Sequence, residues 1–343
     1  MPCLLNRMVA LEGAATMKHL RSIDDLAPAD IAAVFDTIWR YRAGQAFPKA
    51  LDGKQVCLAF FQPSTRTRVG FQRAVGLLGG TVTGFSGLGE TRAVPPYGES
   101  MSDSLQVLAQ MADALVLRSP VDLRDLDGVE WLDVPLVNAG DAHHEHPVQA
   151  LADAWCIASR RPEWADLTLG LVGDLGARVV RSLLKLCVRL GLRRCLAYAP
   201  DVEALPPDLA ELLRTCGVRF EFVDRLEDLL AHSDAIEVMP YRMPDRERGP
   251  APPDPLRTVT KALVRRCNPQ LLVLHPGPRS WELHPDTDEL PHSLFYEQVR
   301  AGCGAKMAAL MWLLAPAALA VREKSGPGPR KSRQVHSATL SRA

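Results

Sequence analysis

Three hydroxyls and two guanidinium groups occupy five consecutive positions, Ser64-Thr65-Arg66-Thr67-Arg68. Hydroxyls supply hydrogen-bond donors, and an arginine adds a fixed charge on a planar fork of N–H groups. The chemistry that such a stretch serves is the binding of an anion, a phosphate above all. Its flanks strengthen the reading. Residues 56–61 form an apolar run of strand length, and Val69, Phe71, Ala74, Val75 and Leu78 recur with the spacing of one helical face. A strand therefore enters a helix through this stretch. The first N–H groups of that helix lack intrahelical partners and carry the positive end of its dipole. The plainer alternative is a helix capped by Ser64 and decorated with solvated arginines.

The elements around this stretch alternate. Helical spacing covers 31–41 and 99–111, and strands are expected at 56–61, 81–85, 114–117 and 135–138. Pro147 opens a helix to about 160, proline being favoured at a first helical position. A second series follows, with strands at 167–172, 195–198, 218–223, 235–239 and 271–274, and its clearest helix at 178–190. A last helix is expected at 303–321. Strand–helix alternation implies parallel sheets covered on both faces, so the predicted fold is α/β, with two tandem parallel-sheet, three-layer domains. The length of 343 residues suits two domains of about 150 each. The expected division is a flexible extension over 1–16, a first domain over 17–147, a second over 148–299, a helix over 300–322 returning to the first domain, and a disordered basic tail over 323–343.

Ligands of open α/β sheets bind beyond the carboxyl ends of the strands. Read in order, those ends carry Ser64 to Arg68, then Arg118, then Asp141 to Pro147 with Gln149 one turn further on. The second series adds Gly173-Asp174-Leu175-Gly176-Ala177-Arg178, Pro240-Tyr241-Arg242 and His275-Pro276-Gly277-Pro278-Arg279. Most of these groups are basic, which suits a substrate with several negative charges. Over the whole chain, 40 basic and 40 acidic residues cancel, so no global field draws it to nucleic acid or a membrane surface. No apolar run reaches membrane-spanning length.

Other chemistries fit less well. His143, His144, Glu145 and His146 match no standard zinc spacing, so no metal is expected. The loop from Gly173 to Gly176 lacks the third glycine and the acid of a dinucleotide site. The eight cysteines form no CxxC pair and read as buried free thiols of a reducing, cytoplasmic compartment.

Taken together, these motifs resemble the aspartate and ornithine carbamoyltransferases. The segment from Phe60 to Arg68 is similar to that family's carbamoyl-phosphate signature, and His146-Pro147-Val148-Gln149-Ala150-Leu151-Ala152-Asp153 to its second signature. His275-Pro276-Gly277-Pro278-Arg279, Asn138 to Asp141 and Val172 to Leu175 resemble the aspartate branch. The resemblance implies transfer of a carbamoyl group from carbamoyl phosphate to a small amine, giving a ureido product and phosphate with no metal or organic cofactor. It also implies roles. Ser64, Thr65, Arg66 and Thr67 would hold the phosphate, and Arg118 would bridge phosphate and carbonyl oxygen. His146 would donate to that oxygen and Gln149 would hold the carbamoyl nitrogen. Arg178 would bind the acceptor carboxylate, and the carbonyls of Gly277 and Pro278 would orient the carbamoyl group or the attacking amine. The family's trimers share their sites between neighbours, so a homotrimer is expected.

Three departures bear on the acceptor. Tyr97 stands where the aspartate branch has a lysine reaching into the neighbouring site, Ala93 where it has a serine, and Arg92 lies nearby. Counting from Asp234 puts Pro240 where that branch has an arginine for the acceptor's side-chain carboxylate, unless a two-residue shift gives the task to Arg242. Gly277 replaces the usual leucine. A proline cannot make a bidentate carboxylate contact. The expectation is therefore a carbamoyltransferase with a changed acceptor, for example a diamino acid. An ordinary aspartate carbamoyltransferase and a non-catalytic anion-binding homologue are the alternatives.

Overall fold

The computed structural model describes residues 17–93, 98–202, 204–242 and 252–319. The expected extension over 1–16, the tail over 323–343 and Tyr97 lie outside the described residues.

The first sheet contains β1 (Gln55–Phe60), β2 (Thr81–Ser86), β3 (Ala114–Ser119) and β4 (Leu136–Asp141), all parallel in the order β2-β1-β3-β4. Around it pack α1 (Pro28–Arg42), α2 (Thr65–Leu77) and α3 (Met101–Ala109). α4 (Pro147–Ala158) leads to the second sheet, which contains β5 (Thr168–Val172), β6 (Arg194–Tyr198), β7 (Arg219–Phe222), β8 (Ala235–Val238) and β9 (Leu272–Leu274). These strands are also all parallel, in the order β7-β6-β5-β8-β9. Its helices are α5 (Arg178–Leu190), α6 (Pro207–Thr215), α7 (Leu226–His232) and α8 (Lys261–Cys267). In both sheets the inner strands are buried on both faces, which explains why they read as continuous apolar runs rather than alternating ones. The edge strands β2 and β7 carry Thr81, Thr83, Arg219 and Glu221 and stay largely exposed or half-buried.

The strand-order reversals fall at β1/β3 in the first sheet and at β5/β8 in the second. At such switch points neighbouring loops leave in opposite directions and open a crevice. The loops after β1 and β3, and those after β5 and β8, leave from these strand ends, and the loops after β4 and β9 lie one strand further along each sheet.

The last long helix, α9 (Phe295–Leu314), starts well before the expected residue 303 and ends before 321, and α10 (Pro316–Leu319) follows it. Gly302 and Gly304 fall within the first three turns of this helix. In the structure they are the small residues of a tight crossing: a Cβ on Gly304 would lie 3.0 Å from the Cα of Ile38. From Ala301 to Trp312 every residue of α9 is buried, so no amphipathic period marks the start of the helix. α9 packs on α1, α2 and α4 of the first half of the chain. One apolar cluster runs without a break from Ile38 and Phe71 through Leu151 and Met307 to Leu183. Fully burying each such side chain contributes about 1.5–3 kcal/mol. Among the described residues, no helix is long and apolar enough to cross a membrane.

Candidate active site

α2 begins at Thr65 with Ser64 at its N-cap position, yet Ser64 makes no side-chain capping hydrogen bond. The simple cap is therefore not what this serine does. Its hydroxyl, with Thr65, Arg66 and Thr67, lines a cavity of about 320 Å³. Arg66 is on the cavity wall, whereas Arg68 is not.

The same cavity is lined by Arg118, His146, Gln149, Arg178, Pro240, Gly277 and Pro278. Two of its cations occupy space that a side chain would otherwise fill. Gly140, at φ +104°, has no Cβ; one placed there would lie 3.2 Å from the Nε of Arg178 and would collide with an Nη of Arg118. Arg118 also donates from Nη1 to the carbonyl of Ala139 at 3.0 Å, and Arg178 from Nη1 to that of Ala142 at 2.8 Å. Both guanidinium groups are thus moored to the carboxyl end of β4 and the residue that follows it while facing the cavity. On the opposite wall, Gly277 (φ +72°) leaves the space into which the Arg66 guanidinium packs. The leucine missing at this position therefore makes room for Arg66. Gly277→Ala is expected to push the Arg66 guanidinium aside and weaken phosphate binding about 10-fold, while the positive φ adds backbone strain of about 1–3 kcal/mol that should lower the unfolding temperature. Phosphate titration with thermal unfolding would check both parts.

His146 stands immediately before α4, and its backbone N–H donates to the Ser182 hydroxyl at 2.9 Å. Burial holds its imidazole well below the ordinary histidine range, and Arg118, Arg178 and Lys306 add to that effect. The ring is neutral at physiological pH and presents an N–H donor rather than a charge. The linkage has a definite sign. Below about pH 6.5 the unfolded chain gains a proton on His146 that the folded chain refuses, so this residue's contribution to stability falls with pH there. Urea unfolding of His146→Gln should accordingly lose less stability between pH 7 and pH 5 than the parent chain.

The neighbouring histidines do not converge. His143 is exposed, and Glu145 is buried with its carboxylate turned away from the cavity. Sequence reading did not single out Glu145 by itself, since it stands within a histidine run. It accepts from the Ser22 hydroxyl at 2.5 Å, from the N–H of Ile23 at 3.0 Å and from the Ser182 hydroxyl at 3.0 Å, and it pairs with Lys185 at 2.7 Å. Through Ser182 it supports the backbone of His146. Among the described residues, the group of three that could hold a metal ion is Asp122, Asp141 and His144. Asp122 is already paired with Arg124 at 2.6 Å, and Asp141 accepts from the N–H groups of Leu123 and Glu145. None of the three lines the cavity of Ser64.

The loop after β5 uses its own polar groups. Gly173 N–H donates to the carbonyl of Tyr198, Asp174 N–H to that of Pro240, and Gly176 N–H to the Asp174 carboxylate. These amides are consumed inside the protein, so the loop offers no cradle for a dinucleotide pyrophosphate. Of the residues that follow β8, Pro240 lines the cavity and Arg242 does not. The two-residue shift that would bring Arg242 to the wall is not what the structure has. Arg92 is exposed, and Ala93 packs against the apolar cluster under β3.

Comparison with known proteins agrees with this architecture. Residues 18–159 match the model of the aspartate/ornithine carbamoyltransferase carbamoyl-phosphate-binding domain, and residues 165–313 match that of the aspartate/ornithine-binding domain. The aspartate carbamoyltransferase catalytic subunit of Methanosarcina acetivorans is 32% identical over 302 residues, covering 85% of this chain and 96% of its own length. That of Vibrio campbellii is also 32% identical, covering 87% and 96%. Among solved structures, Trypanosoma cruzi aspartate transcarbamoylase in complex with carbamoyl phosphate superposes with a TM-score of 0.78 at 29% identity, covering 87% of this chain and 96% of that one. The same enzyme in complex with carbamoyl aspartate and phosphate gives 0.77 at 29% identity, covering 88% and 97%. Two parallel α/β domains around an arginine-lined cleft, together with these relatives, define a carbamoyltransferase. The chain belongs to the aspartate/ornithine carbamoyltransferase family.

Proposed function

We propose that the chain carbamoylates the amine of aspartate, with Arg66, Thr67, Arg118, His146 and Gln149 carrying the chemistry. The observation that supports this most is the convergence of three arginines, the hydroxyls of Ser64 to Thr67, a neutral histidine and a glutamine on one cavity. Carbamoyl phosphate lies with its phosphate against Ser64, Thr65, Arg66 and Thr67 at the α2 N-terminus. The neutral amine attacks the carbonyl carbon, a C–N bond forms, and the oxygen gains negative charge between Arg118 and the His146 N–H. Collapse breaks the carbon–oxygen bond to phosphate, and the amine proton leaves with the departing phosphate. Each preorganised donor at the developing oxyanion is worth about 3 kcal/mol. Holding both substrates in one cleft removes much of the entropic barrier. Arg178 binds the acceptor carboxylate, while the carbonyls of Gly277 and Pro278 orient the carbamoyl group or the amine. A homotrimer with shared sites belongs to the same reading.

The changed acceptor expected from the sequence gains no support from the relatives named above, which are aspartate carbamoyltransferases by name. One observation still favours it as a second reading: Pro240, which cannot grip a carboxylate, forms the acceptor wall. The test is ureido-product formation, read by mass spectrometry, from carbamoyl phosphate with aspartate, ornithine, putrescine or 2,3-diaminopropionate. A dominant carbamoyl-aspartate signal supports the proposal. Turnover of a different amine alone replaces aspartate with that amine, and silence across the panel with carbamoyl phosphate bound supports the non-catalytic alternative.

A further inference from the structure

Behind the cavity lies a buried polar chain that none of the assigned roles uses. Gln149 on α4 donates from Nε2 to Oδ1 of Asp153 at 2.8 Å. The same oxygen accepts from Nε2 of Gln298, on α9, at 2.8 Å. Gln298 accepts through Oε1 from the backbone N–H of His275 at 2.8 Å. His275 in turn accepts at Nδ1 from the N–H of Gly277 at 2.7 Å and contacts Glu282 through Nε2 at 2.8 Å. Asp153 and Gln298 are 0% and 2% exposed, and His275 is 1% exposed. A continuous path of short hydrogen bonds therefore joins the donor side of the cavity, at Gln149, to its acceptor side, at Gly277.

We propose that Gln298 is a positioning residue for carbamoyl transfer, holding the Gln149 carboxamide and the His275–Gly277 segment in one fixed relation. A carboxamide is the group this position requires. It offers two donors and an acceptor on one plane. The donors meet Asp153 and, at 3.3 Å, Glu237, while the oxygen meets a backbone N–H. Asp153 and Glu237 each keep one buried oxygen without a partner, so the loss of a donor here would leave both acids still less satisfied. Because Asp153 engages the NH₂ of Gln149, the Oε1 of Gln149 remains to accept from the carbamoyl nitrogen of the substrate. A carboxamide turned the other way would oppose NH₂ to NH₂. Gln298 touches no substrate, so its influence must run through Asp153 and His275.

This inference rests on the carbamoyl-phosphate reading above, and the experiment separates the two. Inorganic phosphate and carbamoyl phosphate are titrated calorimetrically into the full chain. Phosphate engages the Ser64–Thr67 end and Arg118, whereas carbamoyl phosphate also engages Gln149. Gln298→Met, similar in length but without hydrogen bonds, should weaken carbamoyl phosphate about 10-fold while phosphate stays within about 2-fold, and it should raise the acceptor KM. Gln298→Asn keeps the carboxamide on an arm one methylene shorter, so carbamoyl phosphate and the acceptor KM should both weaken, by less than with methionine, while phosphate holds. This variant carries the test if the methionine variant does not fold. Unchanged carbamoyl-phosphate affinity, or an equal loss for both ligands, overturns the positioning role. A wild-type chain that binds phosphate but not carbamoyl phosphate overturns the donor reading itself, and this inference with it.

Discussion

Arg118→Ala is expected to lower kcat by about 10³-fold while thermal unfolding stays close to that of the parent chain. The size of the effect follows from where the guanidinium is and how it is held. It leaves the end of β3, is fastened by one N–H to the carbonyl of Ala139, and presses against the bare α-carbon of Gly140. A cation held this way needs no reorganisation when charge develops on the carbonyl oxygen and the departing phosphate. Water filling the vacated space would have to reorient at every turnover. Arg118→Lys should recover little, because an ammonium cannot donate to Ala139 and to two substrate oxygens with the planar fork of arginine. Single-turnover kinetics would decide the matter, and a loss under about 10-fold would remove Arg118 from the chemical step.

Glu145→Ala should act first on stability, by about 3–5 kcal/mol in urea unfolding. The carboxylate is fully buried and has four partners from two distant parts of the chain: Ser22 and Ile23 before α1, and Ser182 and Lys185 on α5. Its removal leaves the Lys185 ammonium, itself only 18% exposed, with Asp24 as its remaining carboxylate partner. It also leaves the Ser182 hydroxyl without an acceptor, and that hydroxyl receives the His146 N–H. A fall in kcat should therefore accompany the loss of stability. Glu145→Gln keeps the shape and an acceptor oxygen, so it should cost markedly less. A change under about 1 kcal/mol for the alanine variant would mean that Lys185 and Ser182 find other partners.

The parts of this architecture that were legible in the sequence share a physical cause. Parallel strands buried on both faces must be apolar throughout, so β1, β3, β5 and β9 stand out as runs, and their carboxyl ends mark where Ser64, Arg118, Arg178 and Gly277 gather. α5 was readable because one of its faces meets solvent and its chain is closed by Gly191 in the left-handed region. The N-terminal part of α9 was not, because a helix buried on every side has no period, and Gly302 and Gly304 serve close packing there rather than a turn. Glu145 was hidden for a related reason. Its partners Ser22, Ser182 and Lys185 are distant in sequence, and only the fold brings them to it. The acceptor side was read least well. Counting along the chain gave Pro240 or Arg242 as alternatives, and which of them lines the cavity depends on the path of one loop, which no local spacing specifies.

The return of α9 to the first half of the chain affects how the protein can be made. The helical layer over β1 needs α9 between α1, α2 and α4, yet α9 is among the last segments to leave the ribosome. The amino-terminal half, although a recognisable domain by its sheet, must wait with Phe71, Ile38 and Leu151 partly uncovered until the carboxyl-terminal half has been synthesised. Domains usually complete themselves in the order of synthesis. Here the first to be translated is the last to close, so a nascent chain stalled after α8 would expose the very surface that α9 is built to cover.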